Sequence, residues 1–496
     1  MKIKPVFLVL LLLITGTRLS SAAQQDGESS PLPMPPGGKV IRISPPGKLA
    51  DEPSIAINPH DPQQLVAAYQ VNATAAYSRD GGHTWTVAQG TAPSDYRVSG
   101  DVSVTFDNQG RAFLCYIAFD KLGTVNYWAR GATRNGIFVR RSLDGGKTWE
   151  KNAAAVIAQK TEPGIPFEDK PYIVADNTHS RYAGNLYVGW TEFTLTKSVI
   201  LFSRSTDGGL TWSKPVEIST HEGLPRDETG AVEGFSGAVG ADGTLYVVWA
   251  DGSEIVLTTS RNGGRSFTRS RSILKTAPSD FALDAVDRAN GFPEIGIDPR
   301  SNRLFVAWSG YQNGDIDVFC STSTDRGKHW TAAVRVNSDP LHNGADQFFQ
   351  WLAVDPVDGS ANLVFYDRRS DPANHKCVLA LARSTDGGRS FTNYAWGGTL
   401  FDPAKAFIGD YTGIAAYGGH VYAIWGRELR PEEMKQISPQ PAEPVTTEKK
   451  PSDSKSTQKT TPEEPEKSGE KVAQRAQVVE VGLADFPQAA DAQPPN

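Results

Sequence analysis

Cysteine is nearly missing from this 496-residue chain, which has only Cys115, Cys320 and Cys377. An odd count cannot pair completely. With no CxxC and no Cys/His cluster, a disulfide-built scaffold and a structural zinc domain are both excluded. Cys320 and Cys377 fall in neighbouring repeats, where a bridge is one option; buried thiols are the expectation. Methionine is as scarce, at 3 against 11 Trp, so the core is packed from rigid aromatics. A basic excess is absent too. The net charge is -6 and no Lys/Arg stripe occurs, which removes the electrostatic case for nucleic acid. No HExxH, P-loop, GxSxG or dinucleotide fingerprint is found, so the protease, nucleotidase, α/β-hydrolase and nicotinamide readings lose their motifs.

Long apolar runs are also lacking, with one exception. Lys2 and Lys4 precede an apolar stretch from Val6 to Ile14, followed by Ser20-Ser21-Ala22-Ala23. This is the pattern of a secretory signal peptide cleaved after Ala22 or Ala23, and the run is too short to span a bilayer. Residues 1–23 are therefore expected to be removed and the product to be secreted or periplasmic, with no membrane span.

Turn residues are plentiful, with 47 Gly and 33 Pro, and they recur in register. An octet appears six times: Ser78-Arg-Asp80-Gly-Gly-His-Thr-Trp85, Ser142-Leu-Asp144-Gly-Gly-Lys-Thr-Trp149, Ser205-Thr-Asp207-Gly-Gly-Leu-Thr-Trp212, Ser260-Arg-Asn262-Gly-Gly-Arg-Ser-Phe267, Ser323-Thr-Asp325-Arg-Gly-Lys-His-Trp330 and Ser384-Thr-Asp386-Gly-Gly-Arg-Ser-Phe391. The third positions step by 64, 63, 55, 63 and 61 residues. Such a period marks a repeat architecture. Chemically the octet is a turn: the Asp carboxylate accepts backbone N–H groups, Gly supplies positive φ, and the aromatic opens the next strand. All six Asp/Asn positions are read as structural. A second series closes the preceding strand pairs with Trp190, Trp249, Trp308, Tyr366 and Trp425, at steps of 59, 59, 58 and 59. Tyr69 and Tyr116 extend it to seven inner strand pairs.

The octet resembles the Asp box, or bacterial neuraminidase repeat, of the sialidase superfamily, over residues 39–427. The resemblance implies an all-β propeller with each box between the third and outermost strands of a blade, away from the active face. Seven pairs against six boxes implies seven blades, six being the alternative. Lys39-Val-Ile-Arg-Ile-Ser44 resembles an outer strand, and it is expected to close the ring by completing the last blade, leaving no open edge. The propeller is assigned to residues 38–427. Residues 428–475, rich in Pro, Glu, Lys, Ser and Thr, read as a disordered tail. Within 476–496, Gln477-Val-Val-Glu-Val-Gly482 is strand-like and could supply the missing third strand of the last blade.

Function is expected where inner strands begin and second strands end, since both reach one mouth of the channel. Glu52, Asp101, Asp169 and Asp410 precede inner strands at a similar register; Glu233 fits less tightly, Glu294 and Asp346 poorly. Crowded carboxylates raise one another's pKa and suit general acid work, or hold a cation such as calcium. No other cofactor is implied. After second strands come Glu192, Asp251, Tyr311, Asp367, Arg368, Arg369 and Arg427. The resemblance implies a Tyr nucleophile activated by a Glu, an Asp acid/base, and three arginines on a substrate carboxylate. Tyr411 in Gly409-Asp-Tyr-Thr-Gly413, Glu233 and Asp101 match the catalytic roles; Arg97, Arg368 and Arg427 are the candidate arginines. Asp251 stands near where the second arginine is expected, and the early Arg-Ile-Pro motif has no clean counterpart. The implied function is a sialidase-like exo-glycosidase on a glycan or glycoconjugate, acting as a monomer; the alternative is a non-catalytic glycan- or protein-binding propeller.

Overall fold

The computed structural model describes residues 31–435 and 477–487, apart from 46–49, 71, 90, 92–95, 97, 121–133, 160–165 and 227–229. Residues 1–23, expected to be a leader, and the Pro/Glu/Lys-rich segment 436–476 lie outside the described residues.

Seven four-stranded antiparallel sheets make up the molecule. Each inner strand touches the next around the channel, and the seventh, Gly413–Tyr417, touches the first, Ser54–Ile57. The architecture is a closed seven-bladed β-propeller. Blades 1 to 6 each take four consecutive strands. Blade 7 takes Gly413–Tyr417, His420–Glu428, Gln477–Asp485 and Lys39–Arg42, ordered outward from the channel. The N-terminal strand does close the ring, pairing Lys39 with Leu483 and Arg42 with Glu480. The propeller therefore does not stop at residue 427, because its last blade is completed by residues 477–485.

Second strands are covered on both faces by neighbouring blades, so they read as continuous apolar runs. Ala112–Phe119 is buried at all eight positions. The core divides into seven clusters, one at each interface between blades. Each fully buried large side chain there contributes roughly 1.5–3 kcal/mol. Cys320 belongs to the interface of blades 5 and 6, Cys377 to that of blades 6 and 7. All three cysteines are free and buried.

The octets fold as turns between third and outer strands. In the first, Asp80 accepts from Thr84 N (2.8 Å) and Thr84 Oγ1 (2.6 Å), and Ser78 Oγ accepts from Gly82 N (2.9 Å). The same bonds recur at Asp144, Asp207 and Asp386. Asn262 keeps the backbone bond, to Ser266 N. In the fifth octet His329 Nδ1 takes the place of the Thr hydroxyl on Asp325, at 2.6 Å. The turns also join blades: Arg141 donates to Gly208 O and Arg204 to Gly263 O, each in the following blade's turn.

Candidate functional site

Four inner strands lose register at one level, between Gly100 and Ser103, Asp169 and Tyr172, Glu233 and Ser236, and Phe348 and Trp351. Each bulge holds a residue with positive φ: Asp101 (45°), Lys170 (48°), Gly234 (78°) and Phe349 (53°); Glu52 (45°) stands at the matching point of blade 1. Three of the four bulge residues, and Glu52, are not glycine. A side chain in that region costs about 1–3 kcal/mol, and such strain collects at functional sites. A bulge also re-aims side chains, here toward one mouth of the channel.

The mouth opens into a pocket of about 610 Å³ including its open side. Tyr172, Phe235, Phe292, Trp351 and Tyr411 give it aromatic walls, and Lys170, Glu294 and Asp410 give it charge. The Trp351 ring lies 5.5 Å from Tyr411 and 5.8 Å from Tyr172. Asp410 is the hub: Lys170 Nζ contacts its Oδ2 at 2.6 Å and Arg288 Nε its Oδ1 at 2.7 Å. Burial opposes ionisation of Asp410, but the two cations outweigh it and hold the carboxyl below the usual range. Arg288 also reaches Glu52 at 3.5 Å, and Lys170 reaches Glu233 at 3.8 Å.

The other acids move the opposite way. Burial, then the charges of Asp101, Asp410 and Asp51, push Glu52 well up. Burial pushes Asp51 to about 7, against a hydrogen bond from Gln477, with Asp101 and Asp410 adding to the rise. Glu294 is pushed by burial to about 8, opposed by a bond from Ser236 Oγ (2.8 Å). Tyr411 is raised well above the phenol range by burial and then by Asp101, Glu52, Asp410 and Asp169. Neighbouring carboxyls with opposed shifts are the usual mark of an acid and a base in one site.

The expected residues separate into two groups. Tyr411 lines the pocket, and Asp101 bears on it electrostatically. Glu233 is buried at the same level and faces Lys170 at 3.8 Å, while the charges that act most on Tyr411 are those of Asp101, Glu52, Asp410 and Asp169. The arginines depart from expectation. Arg368 is fully buried, donating to Asn374 O and Asp284 O beneath the Phe348 ring. Arg427 is 3% exposed and clamped by Glu433 (2.7 Å) and Glu480 (2.6 Å). Both hold the fold together and neither lines the mouth pocket. Asp251 sits outside that pocket, 3.3 Å from His221. Arg97 lies outside the described residues. Among the described residues no three His, Cys, Asp or Glu side chains are arranged to hold a metal ion, and two of the acids named for calcium, Asp410 and Glu52, contact Lys170 or Arg288.

Two site residues, Lys170 and Arg288, escape the sequence reading, and a third, Glu294, fits better than its spacing suggests. Glu294 lies opposite Ala307, the residue before Trp308, as Tyr172 lies opposite Gly189 before Trp190. It is thus just past the bulge level rather than out of place. Lys170 sits next to Asp169 and enters through the bulge. Arg288 comes from the connection between blades 4 and 5, which folds as a small two-stranded sheet, Asp280–Phe281 with Ala289–Asn290. Asn290 fixes it to the mouth by donating to Asp410 O at 3.2 Å.

No family model and no curated protein matches the chain. Solved structures do. A Hadza microbial sialidase is similar at 15% identity over 73% of this chain and 70% of its own, with a TM-score of 0.46. An α-L-arabinofuranosidase from Fusarium graminearum is similar at 12% identity over 79% and 95%, with a TM-score of 0.47. A polysaccharide lyase, an ulvan lyase, is similar at 11% identity over 78% and 93%, with a TM-score of 0.47. At these values it is the chain's own seven four-stranded sheets that define its architecture.

Proposed function

We propose that the chain is an exported glycan-acting enzyme, a glycoside hydrolase working at the bulged mouth of the channel. The observation that carries this reading is the Tyr411 hydroxyl, set among Asp101, Glu52, Asp410 and Asp169 on the wall of an aromatic pocket. A phenol so placed is a poor nucleophile until a neighbour takes its proton. In the proposed step Tyr411 Oη bonds to the anomeric carbon as the glycosidic C–O bond breaks. Asp101 takes the phenolic proton. Glu294, with a pKa near 8, is protonated at neutral pH and gives its proton to the departing oxygen. Glu294 then takes a proton from water, whose oxygen bonds to the anomeric carbon as the carbon–tyrosine bond breaks, and Asp101 returns its proton to Tyr411 Oη, with net retention.

The test is hydrolysis of chromogenic glycosides by the purified chain. Turnover of at least one glycoside is expected. Tyr411→Phe should lower kcat by at least about 100-fold, and Glu294→Gln by a similar factor on substrates with poor leaving groups. Full activity in Tyr411→Phe rules out the tyrosine step. The competing reading is a non-catalytic binding propeller. The structural employment of Arg368 and Arg427 favours it, and binding without any turnover would establish it. Export is supported by the N-terminal 23 residues alone and is checked by N-terminal sequencing of the mature protein.

A further inference from the structure

We propose that the sugar taken by this mouth carries no carboxylate: the site selects neutral or amino sugars and rejects uronic and sialic acids. This rests on the reading of the mouth as a glycan site. The argument begins with where the positive charge goes. Among the described residues the two cations at the mouth, Lys170 and Arg288, are held by Asp410 at 2.6 and 2.7 Å, and further contacts run to Glu233 and Glu52. The guanidinium groups that follow second strands are spent further out. Arg368 caps backbone carbonyls, Arg369 pairs with Asp367 at 2.6 Å, and Arg427 pairs with Glu433 and Glu480. A bidentate fork is the usual receptor for a carboxylate; among these described arginines the forks are already taken, by protein acids at Arg369 and Arg427 and by backbone carbonyls at Arg368.

The negative side is the larger one. Asp101, Asp169 and Asp410 act on Tyr411 at the mouth and Glu233 faces Lys170, whereas Glu294, protonated at neutral pH, and the raised Glu52 and Asp51 add little charge. A bound carboxylate would meet this excess with its own charge desolvated, the arrangement by which sites reject a wrong ligand. The remaining wall is aromatic. Tyr172, Trp351 and Tyr411 offer ring faces to the C–H face of a pyranose or furanose, and carboxyls and amides accept and donate to hydroxyls.

The experiment is binding of methyl glycosides to the full chain carrying Tyr411→Phe, read by saturation-transfer NMR and calorimetry. The series contains a neutral hexose, a neutral pentose, an amino sugar, a uronic acid and sialic acid. At least one neutral or amino sugar should bind at least about tenfold more tightly than either acid. An acidic sugar that binds as tightly as, or tighter than, every other member overturns the proposal, as does failure of all five to bind. The two readings fail separately: binding without hydrolysis in the unsubstituted chain sinks the enzyme and keeps the selectivity, whereas preferred hydrolysis of a sialoside does the reverse. A second measurement asks whether cation employment is the cause. Asp410→Asn, its fold checked by thermal melting, releases Lys170 and Arg288. It should bind the uronic acid at least about tenfold more tightly than the parent does, and no gain would contradict the mechanism of exclusion.

Discussion

Glu168 shows how far burial alone can move a residue. Its carboxyl is buried beside Glu192, accepting from Trp190 Nε1 at 2.6 Å and Gln159 Nε2 at 2.8 Å. Burial, then the charge of Glu192, pushes it to about 8. Glu192 is raised as well, by burial first. A carboxyl whose folded pKa lies above its unfolded value binds its proton more tightly when folded. Its contribution to stability is present at and below pH 4.5 and is lost as pH rises toward 8. Glu294, near 8, and Asp51, near 7, act with the same sign. The melting temperature should therefore fall between pH 5 and pH 8.5. Glu192→Gln supplies an amide donor to Glu168, lets it ionise in place, and should remove part of that fall, by about 2–4 °C. A pH–melting series on the two proteins checks this, and parallel curves would refute it. At the mouth, residue chemistry was legible where it was local: Tyr411 stands just before its inner strand and Asp101, expected before one, sits in the bulge near its start, and spacing finds both. Arg368 and Arg427 look like ligand arginines for the same reason, but each is also held by a group that spacing along the chain does not reveal, Asp284 O from the connection between blades 4 and 5 and Glu480 from the C-terminal strand.

The octet turn was the most legible element, since its bonds span four residues. In the third turn Asp207 accepts from Leu210 N, Thr211 N and Thr211 Oγ1. Burial of Asp207 is slight, and these bonds hold it below the usual range despite it. Asp207→Ala leaves the turn's donors to water, and a loss of about 1–2 kcal/mol is expected in denaturant unfolding. No change in mouth chemistry should follow, because the turn lies at the far end of the blade. Gly209 is stricter: at φ +81° an added Cβ would also lie 2.9 Å from the Phe113 ring of the preceding blade. Strand ends were less legible. The closing aromatic of the sixth blade was placed at Tyr366, yet alignment on the octet serine puts Phe365 there, since Ala361 opposes Ser384 as Leu186 opposes Ser205. The bulges were invisible because register is a property of two strands. Only Pro53, Pro171 and Pro293, at one level in three blades, hint at a break in the ladder.

The molecule is a ring whose seventh blade is assembled from both ends of the described chain. The number of blades followed from counting strand pairs against turns. The closing strand followed from its likeness to other outer strands, because ring closure leaves few alternatives. Removing residues 477–487 would strip the apolar pairing partner from Lys39–Arg42 and bare Tyr422 and Ile424, which pack on Val479, Val481 and Leu483. It would also leave Arg427 without Glu480. A chain ending at residue 435 should yield no folded monomer, or one melting more than about 10 °C lower, as judged by size-exclusion chromatography and calorimetry.

Gln477 carries that dependence into the mouth. Its side chain donates to Asp51 at 2.8 Å and accepts from Phe407 N at 2.8 Å. During synthesis Lys39–Arg42 waits for some 430 residues before its neighbour exists, a very distant pairing and a slow one. Until then Asp51 has no amide on it and the ribbon is open along one side. A copy that stops before residue 477 thus has an unfinished seventh blade and lacks the amide that holds Asp51 in place.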